Sequence, residues 1–199
     1  MKRVLLVLLG CGLISSLASA QTKEDREKAV KYLKETQAKV LEATQGLSEA
    51  QWNFKSAPDR WSVAEVAEHI AAAEDFLKGM IKEKVMTAPA RPAGEDLAAI
   101  DAFVLQAISD RTQKAQAPEP LKPSNRFGSP KGSLEHFVAS RNDTIAMMEK
   151  EQGLRDHAVD SFLGKKLDAY EYLLFIGAHS ERHTKQILEV KADPNFPKK

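Results

Sequence analysis

Residues 168–191, DAYEYLLFIGAHSERHTKQILEVK, decide the fold of this 199-residue chain. The segment begins with a capping box, in which the side chains of Asp168 and Glu171 can each accept the other's backbone N–H. Apolar and polar core candidates follow at steps of four, three, four, three and four, and these are Tyr172, Ile176, His179, His183, Gln186 and Val190. This spacing is typical of a seam between packed helices, and it predicts a helix ending near Lys191.

Other segments of the chain show the same helical spacing. It predicts long helices over residues of about 22–44 and 63–85, another from a cap at Ser133 to beyond Met148, and an accessory helix around residues 97–108. The second long helix follows a capping box formed by Ser62 and Glu65. No segment alternates apolar and polar residues for long enough to predict a strand. The predicted fold class is therefore all-α, an antiparallel four-helix bundle with one accessory helix.

A long loop precedes the third long helix. Residues 118–130 contain four prolines, which interrupt helices and sheets alike. Loops of this length are uncommon in a compact domain unless they serve a purpose, so we expect this Pro-rich loop to cover something.

Composition excludes several classes of function. The chain has 29 basic and 28 acidic residues and a single Cys. Such a balance provides no broad basic field, so nucleic acid is not an expected partner. One Cys rules out an intrachain disulfide and a zinc site built on Cys pairs.

The first twenty residues have the three parts of a signal peptide. Lys2 and Arg3 precede an apolar stretch, and Ala18-Ser19-Ala20 provides the small residues of a cleavage site. The apolar stretch is too short for a membrane span. We predict export to the periplasm or the medium, cleavage after Ala20, one domain over residues 21–199, and no membrane association afterwards. A lipoprotein anchored at Cys11 is the less favoured alternative.

Three histidines are candidates for a shared site. His179 and His183 lie one turn apart on the inward face of the last helix, and His69 borders the apolar face of the second long helix. Three neutral imidazoles converging from two helices could hold a metal ion with positions left open for water or substrate. Alternatively, each histidine could be a separately hydrogen-bonded core residue, and the spacing alone leaves both interpretations open.

Three further residues are candidates for the lining or support of that site. Tyr172 and Gln186 flank the histidine pair on the same face, although ordinary packing explains them equally well. Arg141 falls within an apolar stripe, where it could pair with a buried carboxylate, contact a substrate anion, or bury only its stem. His136 and His157 are expected to lie away from the site.

Two motifs resemble those of the DinB-like superfamily. They are residues 61–70, WSVAEVAEHI, and residues 179–187, HSERHTKQI. The resemblance implies an up-down-down-up four-helix bundle that holds a divalent metal ion, often nickel, zinc or iron, on His69, His179 and His183. It also implies thiol S-transferase or thiol-dependent isomerase chemistry in some members, whereas an exported protein meets few small reduced thiols.

Taken together, these features predict an exported metal-binding protein acting on a small molecule. If it is an enzyme, we expect a metal-dependent transferase or hydrolase with water or a thiol as the nucleophile. The alternative is a non-catalytic binding or scaffold protein with a structural metal ion or none. The sequence identifies neither the substrate nor a catalytic base. It also does not determine whether the protein forms a homodimer.

Overall fold

A computed structural model describes residues 22–112 and 114–198 of the chain. The predicted signal segment, residues 1–20, and Cys11 lie outside these ranges, so export stays a prediction. Across the two described ranges, no helix combines the length and the apolar character needed to span a membrane.

The described residues form helices and one small hairpin. The helices are α1 (Lys23–Thr44), α2 (Glu49–Asn53), α3 (Val63–Met80), α4 (Leu97–Ser109), α5 (Pro130–Lys150) and α6 (Ala169–Lys191). The strands are β1 (Ala158–Asp160) and β2 (Lys166–Asp168). A π-helical turn, Ile81–Val85, continues α3, and a 3-10 turn, Glu119–Leu121, lies in the connection before α5.

Two predicted capping boxes are present. The Ser62 hydroxyl accepts the Glu65 backbone N–H while the Glu65 carboxylate accepts the Ser62 N–H. Asp168 and Glu171 make the corresponding pair of hydrogen bonds at the start of α6. These caps set where the two histidine-bearing helices begin, and hence where each histidine lies along the bundle.

The predicted start of α5 is wrong. Ser129, rather than Ser133, caps the helix by accepting the Gly132 N–H, and Pro130 is its first residue. Proline is suited to this position because the first N–H of a helix has no partner within the helix. Ser133 lies one turn further on, where its hydroxyl donates to the Ser129 carbonyl.

The expectation that the chain contains no strand is also wrong. Strands β1 and β2 pair antiparallel, with Val159 opposite Leu167, and the hairpin leads directly into α6. With three residues each, these strands are too short to give an alternating pattern in the sequence. Leu167 is fully buried, so the hairpin contributes to the core at this end of the bundle.

The four long helices, α1, α3, α5 and α6, form the predicted up-down-down-up bundle. One core cluster joins the N-terminal halves of α1 and α6 to the C-terminal halves of α3 and α5, with members Leu33, Leu77, Met148 and Leu173. A second cluster joins the opposite halves, with members Val40, Val66, Phe137 and Ile187. Helices α1 and α6 therefore run one way, and α3 and α5 run the other.

This topology requires a long crossover connection. Because α3 and α5 run in the same direction, the chain between them, residues 86–129, must return along the length of the bundle. On the way, α4 packs on α6 through Ile100, Val104 and Ile108. The Pro-rich loop then passes over α3, where Leu121 packs on Ala72 and Ala73. The Pro-rich loop, which we expected to cover part of the protein, thus covers this part of α3.

Candidate metal centre

The three candidate histidines meet between α3 and α6. The Nε2 atom of His179 lies 3.3 Å from Nε2 of His69 and 3.1 Å from Nε2 of His183. Each ring can offer one nitrogen such that these atoms all lie within 4.8 Å of one another. The structure therefore brings together the three residues that the sequence offers as candidates for a shared site.

These separations suit a shared ion. Two imidazole nitrogens about 2.0–2.1 Å from one ion, at angles of about 90–110°, lie about 2.8–3.4 Å apart. The two Nε2 distances given above both fall in that interval. A hydrogen-bonded network explains them less well, because Nε2 of His179 carries at most one proton for its two nitrogen neighbours.

A backbone carbonyl fixes the proton of His69. The Nδ1 atom of His69 lies 2.8 Å from the Leu121 carbonyl oxygen, which can only accept a hydrogen bond. The neutral ring therefore carries its proton on Nδ1 and directs the Nε2 lone pair toward His179. A metal-binding histidine is typically oriented by a hydrogen bond of this kind.

A side-chain amide does the same for His183. Its Nδ1 atom lies 2.8 Å from Oε1 of Gln186. The Arg111 guanidinium, which can only donate, lies 3.3 Å from that same atom, so the amide oxygen faces both groups. His183 therefore donates from Nδ1 and presents an unprotonated Nε2. Gln186, a predicted support residue, thus contacts the His183 ring.

Burial keeps the three rings neutral. It lowers the pKa of His69, and it lowers the pKa values of His179 and His183 well below their ordinary range. The neighbouring histidines lower the pKa of His183 further. Neutral imidazole is the form that binds metal ions, so the folded chain holds these candidate ligands in the form that can bind an ion near neutral pH.

The candidate donor set is three histidines without a carboxylate. Among residues 22–112 and 114–198, no other group of three or more His, Cys, Asp or Glu side chains is arranged to hold an ion. Structural zinc sites have four protein ligands, whereas catalytic sites commonly have three and leave a position open. His179 is partly exposed while His69 and His183 are buried, so His179 is the most exposed of the three candidate ligands.

Aromatic side chains border the centre. The Trp61 ring lies 4.8 Å from the His69 ring, and the Phe175 ring lies 6.2 Å from the His179 ring. Tyr172 stacks on Phe175 at 6.2 Å, which places it one ring removed from the histidines. Phe175 is therefore nearer to the histidines than Tyr172 is, although the sequence indicated Tyr172 and not Phe175 as a lining residue.

Arg141 lies beneath the centre rather than in it. Its guanidinium is fully buried and pairs with both oxygens of Glu74. It also donates to the hydroxyl of Ser180, the residue after His179. Of the three roles left open for Arg141, pairing with a buried carboxylate is the one that the structure shows.

The remaining two histidines lie elsewhere. His136 hydrogen-bonds Asp75 and stacks on Phe127. His157 follows the end of α5 and pairs with Ala90 through its backbone. Neither belongs to the group of histidines that could hold an ion, in agreement with the expectation that both lie away from the site.

The sequence did not indicate Glu68 as a support residue. This carboxylate is buried beside His69 and accepts the backbone N–H groups of Ser124, Asn125 and Arg126. Burial alone would raise its pKa, but these hydrogen bonds lower the pKa below the ordinary value. A Glu next to a core histidine is the only sequence signal, because its partners are backbone groups of a distant loop.

Comparison with known protein families agrees with this geometry. The sequence profile of the DinB superfamily matches residues 32–187, a range that includes all three histidines. The chain belongs to the DinB superfamily. The resemblance inferred from the two motifs is therefore confirmed, and so is the bundle architecture.

Two Bacillus subtilis proteins are similar to this superfamily member. The uncharacterized protein YuaE of strain 168 is 30% identical over 149 residues, which are 73% of this chain and 86% of YuaE. The structure of YfiT superimposes with a TM-score of 0.54 at 17% identity, covering 88% of this chain and 91% of that one. YfiT is described as a probable metal-dependent hydrolase with an unusual four-helix bundle topology. At that identity, the likeness shows the shared fold.

Proposed function

We propose that this protein is an exported metal-dependent hydrolase that binds one divalent ion on His69, His179 and His183. The observation that carries the proposal is the convergence of three Nε2 atoms at 3.1 and 3.3 Å. The description of YfiT supports the reaction class, and the signal-like residues 1–20 support export. Nickel, zinc and iron all accept imidazole ligands, so the donor set does not choose among them.

The chain's own residues prepare the site for this chemistry. A bound divalent ion would supply Lewis-acid polarisation and lower the pKa of a coordinated water. The Leu121 carbonyl and Gln186 keep the ring protons of His69 and His183 on Nδ1, away from the centre. Trp61 and Phe175 place apolar surface beside it, which strengthens nearby electrostatic interactions.

Water is the nucleophile that the sequence favours. Cys11 is the only Cys, and it is lost if cleavage occurs after Ala20, so the mature chain would supply no thiol of its own. A thiol nucleophile would have to come from a small molecule, and oxidising compartments hold few of these. The substrate of the proposed reaction is a small molecule that approaches beside the partly exposed His179.

Elemental analysis of protein purified from its export compartment tests the proposal. We expect wild type to carry about one ion of nickel, zinc or iron per chain, as a three-histidine site requires. His179→Ala should lose most of it, whereas His136→Ala should retain it because His136 bonds Asp75 instead. A wild-type protein that binds none of these ions at neutral pH would overturn the proposal.

Turnover assays separate the functions that a bound ion could serve. Metal-loaded and chelator-treated protein are compared on ester, amide and phosphoester probes, and on a small thiol with an electrophile. Metal-dependent hydrolysis supports the proposal. Thiol transfer alone replaces it with S-transferase chemistry, and a metal that raises thermal stability without any turnover replaces it with a structural role.

A further inference from the structure

Residues 119–126 cross α3 at the point where it carries His69. Three consecutive backbone N–H groups, those of Ser124, Asn125 and Arg126, donate to the Glu68 carboxylate over 2.7, 2.9 and 3.1 Å. Asn125 has a φ of 60°, in the left-handed region. Alternation of right- and left-handed residues turns successive N–H groups toward one anion, and here that anion is the side chain of Glu68.

Arg126 connects this carboxylate to the 3-10 turn. Its Nε lies 3.4 Å from Glu68, and its Nη2 donates over 2.9 Å to the carbonyls of both Pro120 and Lys122. The carbonyl between those two, that of Leu121, accepts the Nδ1 proton of His69. The position of that carbonyl therefore depends on hydrogen bonds that begin at Glu68.

We propose that Glu68 is a positioning residue of the metal centre, which holds residues 119–126 in place so that the Leu121 carbonyl fixes the His69 ring. This inference rests on the proposed metal site. Because the segment and the metal ion then contact opposite nitrogens of one ring, ordering of the segment and metal binding are coupled. Such coupling is reciprocal, so the ion must also stabilise the segment.

A purely structural role for Glu68 makes a different prediction. Removal of its hydrogen bonds would lower the stability of the fold or loosen the loop, but metal affinity would not change. The side chain of Leu121 packs on Ala72 and Ala73 independently of Glu68, so the turn has a second anchor that preserves the fold. Metal affinity and loop exchange therefore have to be measured separately.

Glu68→Gln is the main variant, because it keeps the size of the side chain and replaces one acceptor oxygen with a donor. Arg126→Ala is a second variant that is safer for folding, since the Arg126 side chain is 32% exposed. Glu119→Gln is the matched control. Like Glu68→Gln it removes one negative charge, but it does so on residues 119–126, where the Glu119 side chain is 82% exposed and pairs with Lys122.

Two measurements are made on the full mature protein. Zinc affinity is determined by competition with a chromophoric chelator, and amide hydrogen exchange of residues 119–126 is followed with and without zinc. We expect Glu68→Gln to weaken zinc binding about 10-fold, the lower end of the usual effect of losing a group that orients a ligand, because Glu68 acts through the Leu121 carbonyl. Arg126→Ala should weaken it less, and Glu119→Gln should match wild type. Zinc should slow exchange of the segment in wild type.

The outcomes distinguish this inference from the proposed function. If wild type binds zinc but Glu68→Gln binds it equally well, the positioning role is wrong and the metal site stands. If zinc binds without slowing exchange of residues 119–126, the coupling is wrong. If wild type binds no zinc, nickel or iron, the proposed function fails, and the inference fails with it. Should Glu68→Gln not fold, an unchanged zinc affinity in Arg126→Ala overturns the inference.

Discussion

The Arg141 guanidinium and the Glu74 carboxylate form a two-pronged ion pair between α5 and α3, with contacts of 2.7 and 2.8 Å. Both side chains are fully buried. Arg141 also donates to Thr36 in α1 and to Ser180 in α6, so this one side chain of α5 bonds to each of the three other long helices. Because Ser180 follows His179, this network holds α6 at one position along the axis of α3. The same position brings His179 and His183 next to His69.

Arg141→Met should be strongly destabilising. It leaves the Glu74 carboxylate buried without its partner, and breaking a buried pair in this way costs about 3–5 kcal/mol. The free energy of unfolding from urea titration measures the effect. Lys34→Met is the control, because the Lys34–Glu149 pair is exposed and worth under about 1 kcal/mol. Equal losses in the two variants would contradict a special role for the buried pair.

Two helical glycines should respond to alanine with opposite signs. A Cβ at Gly177 would lie 2.7 Å from the Tyr32 ring, whereas one at Gly79 would meet nothing within 4 Å. The Tyr32 ring cannot move freely because its hydroxyl donates to Glu181. We expect Gly177→Ala to lose about 1–3 kcal/mol through overpacking. Gly79→Ala should gain about 0.5–1 kcal/mol from helix propensity. Thermal and urea unfolding check both, and a gain at position 177 would refute the first.

The helices could be predicted from the sequence because their signals are local, whereas their directions in the bundle were implied by the resemblance to the DinB-like superfamily. Capping boxes at Ser62 and Asp168 and apolar residues at helical spacing specify each helix without reference to the rest of the chain. Where local signals were weak, the prediction failed. The sequence predicts a loop at Pro130, which in the structure begins α5, and the strands of the hairpin are too short for an alternating pattern.

The candidate site was predictable only in part. The three histidines lie on core-facing stripes of their helices, and this placement made them visible in the sequence. Their support comes from groups that no pattern identifies, such as the Leu121 carbonyl, whose distance along the chain from His69 hides the contact. The Arg141 partner was equally hidden, since Glu74 is a charged residue on a buried face and has no spacing rule that links it to α5.

The pH dependence of stability should carry a contribution from Glu171. Burial, together with the charge of Asp168, raises the pKa of Glu171 to about 7, although Arg91 opposes the shift. The folded state therefore binds this proton more tightly than the unfolded state. The stabilisation contributed by protonated Glu171 is fully present below about pH 4.5, and it is lost as the pH rises through about 7.

Glu171→Gln tests this dependence, because glutamine does not titrate. Relative to the variant, wild type should lose unfolding free energy between pH 5 and about pH 8. Glu95→Gln, which alters a partly exposed partner of Arg91, is the control and should parallel wild type. Urea midpoints at several pH values give the comparison. Parallel curves for wild type and Glu171→Gln would contradict the raised pKa.

Export should leave a protein that begins at Gln21. A signal peptide with Ala18-Ser19-Ala20 before the cleavage point predicts this mature terminus. Intact-mass measurement of the exported protein checks it. Cys11→Ser provides the control, since it leaves signal-peptide cleavage unchanged but blocks lipidation. A lipid-modified mass that disappears in Cys11→Ser would favour the lipoprotein alternative instead.

Gln186→Ala should weaken metal binding without unfolding the protein. The variant removes the acceptor of the His183 Nδ1 proton, while Arg111 keeps its pair with Glu189. A ligand ring that is no longer oriented typically costs about 10-fold or more in metal affinity. Zinc competition titration measures this loss, and the urea midpoint of the metal-free protein should stay close to that of wild type.

Gln186→Glu supplies the test of mechanism, because a carboxylate still accepts the Nδ1 proton of His183. It should restore the affinity lost in Gln186→Ala, since orienting partners of metal-bound histidines are often carboxylates. Gln106→Ala, an exposed glutamine of α4, controls for the loss of an amide near α6 and should bind zinc as wild type does. If the alanine and glutamate variants at position 186 bind zinc equally, the proton of His183 is not held by this contact. The assignment of its Nε2 lone pair to the centre would then lose its support.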